Sequence, residues 1–588
     1  MIVACIEKKS LLLNNWICLF IIAIVATFFA TFFIVNNTYS AFFNGFFPHL
    51  LLLWVCSLLI LYFLTVYLLK TGRTQNLTSF LFLILLSLVS LEVIAINMAG
   101  INNWPFSLSW SETSHLYYSS TIFAREIYGF SVPMSPYHET RYLMQSLPFL
   151  FSGIPIWVHR FWQFLLTIGF PIIFMFSLLK RVRIEPGLKS ALFIVWGFLW
   201  LLQIYIFYNL ILCALLIVCF YSNDHWKRNI LVICVASAWA GFSRPNWIPV
   251  PGLMAALFYL LETRYKTTSG LIEYVKKPLL YFISGVAVGL LAQFIYILIS
   301  GYQNSAPQTT VFRSPMLWYR LLPNATFILG ILPGILLISL FLIIYVISKF
   351  FINQDINIFR RIGVVLIVVA FFLGGLVVSV KIGGGNNLHN MDAYAMFVLI
   401  IASYIFSGKI SLDKKSTITS HDNKQWLLIG ILIVPIVWAL FFPAQVNTSS
   451  QVDSDSVLKT VNEIIDTYAK NRKVLFISQR QLLFLGYVKN VPLIPDFEQE
   501  SLIDMTMAGP RGRLEDFYQK LRDHAFEIIV VNPINTNIVG LDSSFAEENN
   551  LWVQGVSRLI LNQYQPLVSF PEYGLEMLIP KTANQSVN

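Results

Sequence analysis

Long apolar runs separated by short polar breaks dominate the first three quarters of the chain. The runs cover residues 13–35, 46–69, 77–98, 154–179, 190–205, 207–221, 229–243, 247–262, 278–300, 324–348, 362–381, 392–407 and 425–443. About 20 apolar residues suffice for a helix to cross the hydrocarbon of a bilayer. The pattern therefore predicts about 13 transmembrane helices, with the pairs 190–205/207–221 and 229–243/247–262 open to a different division. The run near residues 16–35 is too long for the apolar core of a signal peptide and lacks a small-residue cleavage site, so it reads as the first helix. After residue 450 the pattern changes. Val474–Ser478 and Glu527–Asn532 are short β-branched runs, Pro566–Phe570 and Glu576–Pro580 are weaker ones, and helical candidates such as Arg513–His524 lie between them. Strands alternating with helices predict a small α/β domain.

Composition agrees with the membrane reading. Of 588 residues, 57% are hydrophobic and 12% are charged, where soluble proteins carry roughly 25% charged residues. The mean hydropathy is +0.68. A cytosolic enzyme, a disordered scaffold and a disulfide-stapled secreted domain are excluded. The net charge of +10 is unevenly spread: residues 450–588 hold 12 Lys+Arg against 17 Asp+Glu. With the N-terminus in the cytoplasm, 21 basic residues before residue 450 fall in inner loops and seven outside, as the positive-inside rule requires. The expected organisation is two additional N-terminal helices (1–76), a transmembrane core (77–443) with external loops 99–153 and 301–323, and an external domain (450–588). The external stretch Ser111–Tyr128 is read as a helix that lies in the membrane interface or seals the bundle. No basic stripe interleaved with aromatics occurs, so no nucleic-acid partner is expected. The six cysteines lack metal spacing and read as small apolar residues, and no nucleotide-binding glycine motif is present.

Polar residues at the outer ends of membrane helices carry the candidate chemistry, because polar groups at that depth are costly. Glu112 opens a helix in Trp110-Ser-Glu-Thr-Ser-His115, followed by Tyr117; it is a general base facing a cavity or simply a residue favouring the helix start. His138, Glu139 and Arg141 close the same loop, either as a sugar or phosphate site or as a salt-bridged loop. Lys381, Gly383, Gly384 and Asn386 form a glycine-rich turn whose free N–H groups suit a phosphate, followed by His389 and Asp392. Arg244 lies on the same side, as a phosphate partner or a snorkelling side chain. The acids Glu547 and Glu548, and Asp496, Glu498 and Glu500, read as solvated faces.

These segments resemble the GT-C superfamily, membrane glycosyltransferases that use polyprenyl-phosphate sugars, and within it the protein O-mannosyltransferase and aminoarabinose transferase group. The likeness rests on Ser111-Glu112 with Tyr117, Ala124, Arg125 and Gly129, on Pro136–Tyr142 with Leu147-Pro148-Phe149 and Gly153, and on Lys381-Ile-Gly-Gly-Gly-Asn-Asn387. It implies transfer of a sugar from a polyprenyl-phosphate donor to an envelope acceptor on the outer face of a bacterial plasma membrane. Glu112 or Glu139 would be the catalytic acid-base group. Lys381, Arg244, Gly383, Gly384 and Asn386 would hold the donor phosphate, and His138, Arg141, Tyr117, His389 and Asp392 the substrate. Ser111 stands where the family has Asp, which leaves a divalent cation open as cofactor. The competing expectations are a non-catalytic assembly or binding subunit and a transporter of a lipid-linked substrate. The enzymatic reading requires Glu112, Arg244 and Lys381 to share one environment.

Overall fold

The computed structural model describes residues 77–135, 139–265, 270–300, 315–413, 425–442, 453–508 and 513–581. The runs 13–35 and 46–69 and the residue His138 lie outside these. Helices α1 (Leu77–Ala99), α2 (Glu112–Thr121), α3 (Ala124–Tyr128) and α4 (Glu139–Gln145) are followed by α5 (Ile156–Val182), α6 (Leu188–Gln203), α7 (Tyr208–Phe220) and α8 (Trp226–Gly241). Next come α9 (Val250–Glu262), α10 (Gly270–Ile299), α11 (Ile331–Val346), α12 (Ile358–Ser379), α13 (Asp392–Phe406) and α14 (Gln425–Phe441). Each of the apolar runs expected from residue 77 onward is a separate helix, including the four whose division was open.

Among the described residues six helices are long and apolar enough to cross a membrane: α1, α5, α10, α11 with its extension to Phe351, α12, and α13 with the turn at His389. The protein is a multi-pass helical membrane protein. The expected count of full-length spans is not reached among the described residues, because α6, α7, α8, α9 and α14 have only 13 to 17 residues. Such helices are roughly 20–25 Å long, against about 30 Å of hydrocarbon.

Helix α13 is the axis of the bundle. Every residue from Asp392 to Tyr404 is buried, as expected of a helix that is apolar on all sides. Helix α10, by contrast, buries only six of its 30 residues and lies at the edge. It approaches α8 and α9 through glycines: a Cβ at Gly252 would lie 2.5 Å from the Tyr281 carbonyl oxygen, and one at Gly241 would lie 2.3 Å from that of Gly289. Small residues of this kind let membrane helices pack backbone to backbone.

The connections sort into two ends. At one end Arg181 donates to Glu262 Oε1 at 2.6 Å and to Tyr404 Oη at 2.7 Å. There Arg360 pairs with Asp413 at 2.7 Å. At the other end lie the loop after α1, the glycine-rich turn and the C-terminal domain.

That domain contains helices α15 (Ser454–Tyr468), α16 (Gln481–Phe484), α17 (Gln499–Ala508), α18 (Arg513–Arg522), α19 (Ala546–Trp552) and α20 (Arg558–Gln563). They surround strands β1 (Val474–Phe476), β2 (Ile528–Val531), β3 (Tyr564–Phe570) and β4 (Leu575–Pro580) in the order β1-β2-β4-β3. β1 and β2 are parallel, and the remaining pairs are antiparallel. The expected α/β character and all four expected strands are therefore present. Side chains alternate between two apolar layers, Ile528 and Val530 on one face of the sheet and Ile529 and Val531 on the other. Helix α15 starts where the Asp453 carboxylate accepts from the Asp455 N–H at 3.1 Å, and it buries Val457, Val461 and Ile465 on one stripe.

The loop after α1 is enclosed by this domain. Phe106 is fully buried in the layer that holds Val474 and Met577, and Trp104 stacks on Tyr573 with ring centroids 5.3 Å apart. Ser107 N–H donates to Gln479 Oε1 at 2.9 Å, and Arg480 N–H to Thr113 Oγ1 at 3.0 Å. Nine of the ten residues of α2 are buried. The helix expected at 111–128 is thus broken at Ile122-Phe123, and its first half is sandwiched between bundle and domain instead of resting in the interface.

Candidate functional site

Two guanidinium groups meet over one aromatic ring at the end of the bundle that carries the C-terminal domain. Arg141 lies on α4, and Arg244 lies in the turn between α8 and α9. Their central carbons are 4.7 Å and 5.5 Å from the ring centroid of Phe207, the residue before α7. His389 faces the same ring at 6.0 Å. Arg244 donates to Asp392 Oδ2 at 3.2 Å and to Asn390 Oδ1 at 3.0 Å. Asp392 is fully buried at the start of the central helix α13 and accepts the Ala393 N–H at 2.7 Å.

Arg141 Nη2 donates to His115 Nδ1 at 3.3 Å. Arginine has no acceptor, so this bond places the His115 proton on Nε2. Nε2 is 4.0 Å from Glu500 Oε1 on α17. Burial pushes the Glu500 carboxyl well above the usual carboxylate range, and the charges of Glu498 and Asp504 push it further. Glu498 is buried and accepts from the Ser114 hydroxyl, from Tyr118 Oη at 2.8 Å and from the Ser501 N–H at 3.1 Å.

Thr140 ties these parts together. Its hydroxyl is hydrogen-bonded to Ser243 and accepts from Asn209 Nδ2 at 3.1 Å. Beside it, Arg141 Nε and Asn209 Oδ1 are buried without a hydrogen-bond partner among the described residues. Glu139, one residue earlier, accepts from Tyr296 Oη at 3.4 Å. Burial raises its carboxyl to about 7, and the Tyr296 hydrogen bond opposes the shift.

Of the residues expected from sequence, Arg141, Arg244, His389 and Asp392 come together, while Glu139, two positions before Arg141, meets Tyr296 of α10. The others do not join this group. Glu112 is buried in a separate ion pair: Arg160 Nε donates to its Oε1 at 2.8 Å and Arg160 Nη2 to its Oε2 at 3.2 Å, and Leu108 N–H donates to Oε2 at 2.6 Å. Arg160 also donates to the carbonyls of Asn102, Trp104 and Phe106, so the pair clamps the first loop. Tyr117 lies under Arg480 at 4.4 Å and donates to the Pro495 carbonyl at 3.2 Å.

The glycine-rich turn forms a third group. Gly383 N–H donates to Glu548 Oε1 at 2.7 Å. Arg320, fully buried, grips both Glu548 oxygens at 2.7 Å and Glu547 Oε2 at 3.0 Å, and also donates to the Gly384 carbonyl at 2.7 Å. A phosphate-type cradle is therefore filled by a carboxylate of the C-terminal domain. Gly383 and Gly385 have φ of +81° and +78°, which glycine adopts freely. Lys381 opens the turn, with its ammonium pushed down by burial, and Asn386 is exposed.

Glu112, Arg244 and Lys381 thus share an end of the molecule but not an environment. The acids expected as solvated faces are also reassigned, since Glu498, Glu547 and Glu548 all hold partners from distant segments. Sequence reasoning passed over Arg160, Arg320, His115, Phe207 and Glu500. A signal existed for the two arginines: they are among the seven basic residues outside the inner loops, where charge asymmetry does not explain them. Among the described residues no three His, Cys, Asp or Glu side chains gather in a group able to hold a metal ion. No family model matches the chain, and no curated protein matches it.

Proposed function

We propose that this protein is a membrane transferase acting on a lipid-linked donor that carries a phosphate, and specifically that it moves a sugar from a polyprenyl phosphate to an envelope acceptor at the outer face. The observation that carries the reading is the convergence of Arg141 and Arg244 on Phe207. Two cations held side by side, with Arg141 Nε unpartnered, form a seat for a dianionic or diester phosphate. Placed at the end of a membrane bundle, that seat suits a phosphate borne on a lipid. In the reaction the acceptor hydroxyl attacks the anomeric carbon and its proton passes to Glu139. The bond from that carbon to the phosphate oxygen breaks, and the electron pair leaves with the phosphate onto Arg141 and Arg244. A carboxylate near 7 is well matched to proton abstraction at neutral pH, and stabilising the departing charge is often a large catalytic term. We assign the base to Glu139 in preference to Glu112, whose oxygens are engaged by Arg160.

The experiment is release of polyprenyl phosphate from labelled polyprenyl-phosphate sugars by the full chain in lipid nanodiscs. Release that is lost in Arg244→Gln and Glu139→Gln but retained in Lys381→Gln is expected. Absence of both donor binding and release in the unaltered chain, with an acceptor panel present, overturns the proposal.

A second reading has its own support. The sealed Glu112 and the Glu548 carboxylate filling the glycine-rich turn suit a non-catalytic binding or assembly subunit. Donor binding without release, across the acceptor panel, would select it.

A further inference from the structure

The surface of the C-terminal domain is polar, with one concentrated departure. Among its described residues four large hydrophobic side chains are exposed: Tyr468, Ile538, Leu541 and Phe545. The last three fall within eight residues of one another, in the segment before α19, and Leu541 is 62% exposed. This segment is pinned to the loop that leads into the membrane helix α11. Phe545 N–H donates to Thr326 Oγ1 at 3.1 Å, Tyr319 Oη donates to Glu547 Oε1 at 2.7 Å, and Arg320 grips Glu547 and Glu548.

The loop carries its own exposed apolar residues: Trp318, Leu322 and Ile328, the last 78% exposed. It folds back over the start of α11. A Cβ at Gly330 would lie 2.2 Å from the Leu322 carbonyl carbon, and one at Gly334, inside the helix, would lie 3.2 Å from the Phe327 ring. Trp318, Leu322 and Ile328 therefore stand near the start of α11, and the bond from Phe545 to Thr326 joins the end of the 538–545 segment to the same loop.

We infer that residues 538–545 of the external domain and residues 318–328 form one apolar lip that dips into the outer leaflet of the bilayer. The occupant is lipid because the lip leads into α11, a helix long and apolar enough to cross a membrane, which itself exposes Leu336, Leu337 and Leu340. An exposed apolar cluster on an otherwise polar domain marks an interaction site, and a tryptophan at its edge suits the interface between headgroups and acyl chains. Residues 533–545 contain Asp542 and no Lys or Arg. The contact is therefore with acyl chains and does not depend on anionic headgroups. This inference is independent of the transferase reading.

The test uses the full chain in nanodiscs, with an environment-sensitive fluorophore on Leu541→Cys and, as control, on Tyr468→Cys. The signal of the labelled unaltered chain is subtracted to remove native cysteines. The expected result is emission from position 541 that is shifted to the blue. It should also be quenched several-fold more strongly than that from position 468 by lipids carrying a nitroxide near the top of the acyl chain. The effect should be equal in zwitterionic and anionic nanodiscs. Water-like, unquenched emission at 541 overturns the inference. So does blue-shifted emission that lipid nitroxides fail to quench, which would mean that protein covers the segment.

Discussion

Replacing Glu112 by Gln separates a structural role from a chemical one. The Glu112–Arg160 pair is buried, with side-chain exposures of 11% and 4%, and it joins α2 and α5 to the loop carrying Trp104 and Phe106. Removing one partner of a buried ion pair costs about 3–5 kcal/mol, since the other charge is left without compensation. Gln keeps the shape and one acceptor oxygen, so the expected loss is smaller, about 2–3 kcal/mol. Arg160 retains its bonds to the carbonyls of Asn102, Trp104 and Phe106, which limits the damage further. Thermal unfolding of the purified protein in nanodiscs, combined with proteolysis of the 99–111 loop, measures the effect. The variant should melt earlier and be cut faster, and Arg160→Met should cost more than Glu112→Gln, because it also strips the carbonyls of Asn102, Trp104 and Phe106 of their donor. Unchanged melting together with abolished release of polyprenyl phosphate would refute this reasoning and return Glu112 to the chemistry.

Four further outcomes are expected. Turnover should rise with pH to a plateau, with a midpoint near 7 set by Glu139, and Glu139→Gln should remove the rising limb along with most of the rate. The same group makes folding less favourable as pH rises from about 4.5 to about 7, because its raised folded value favours the protonated form; the melting temperature of Glu139→Gln should lack that slope. Arg320→Gln leaves Glu547 and Glu548 without their shared cation, so the C-terminal domain should become sensitive to protease well below the unfolding temperature of the bundle, at a cost of about 3–5 kcal/mol. Gly252→Val places methyl groups against the Tyr281 backbone, and the variant should lose the α9–α10 packing, seen as aggregation in size-exclusion chromatography where Gly374→Val, which meets nothing within 4 Å, stays monodisperse.

The helices and strands were legible because each is encoded locally. A run such as Ile358–Ser379 needs only its own apolarity to declare a membrane helix, and Glu527–Asn532 needs only its β-branched residues to declare a strand. Helix length was less legible: apolar runs near 190–221 and 229–262 do not reveal how few residues each helix keeps once turns are formed. The site was harder to see, since its contacts are non-local. Glu498 looks solvated in Asp-Phe-Glu-Gln-Glu until Ser114 and Tyr118, more than 370 residues earlier, are placed on it. Glu548 likewise finds Gly383 only across the fold. Arg244 and Asp392 were both singled out from sequence, but their pairing depends on α13 being the central helix, which no local pattern reveals.

The burial of Phe106 and Trp104 among the strands has a consequence for how the molecule is made. These residues leave the ribosome before most of the membrane helices, yet the pocket that receives them follows much later, as the 372 residues between the bonded Ser107 and Gln479 indicate. Until that domain is made, the loop holds two uncovered aromatic rings. The two meet only if they emerge on the same side of the membrane. A single helix inserted in the wrong direction would strand them on opposite sides, leaving an aromatic pair without a socket and a socket without its plug, both open to proteases. The fold thereby checks its own topology, with the later domain reporting on the orientation of the helices between it and the loop.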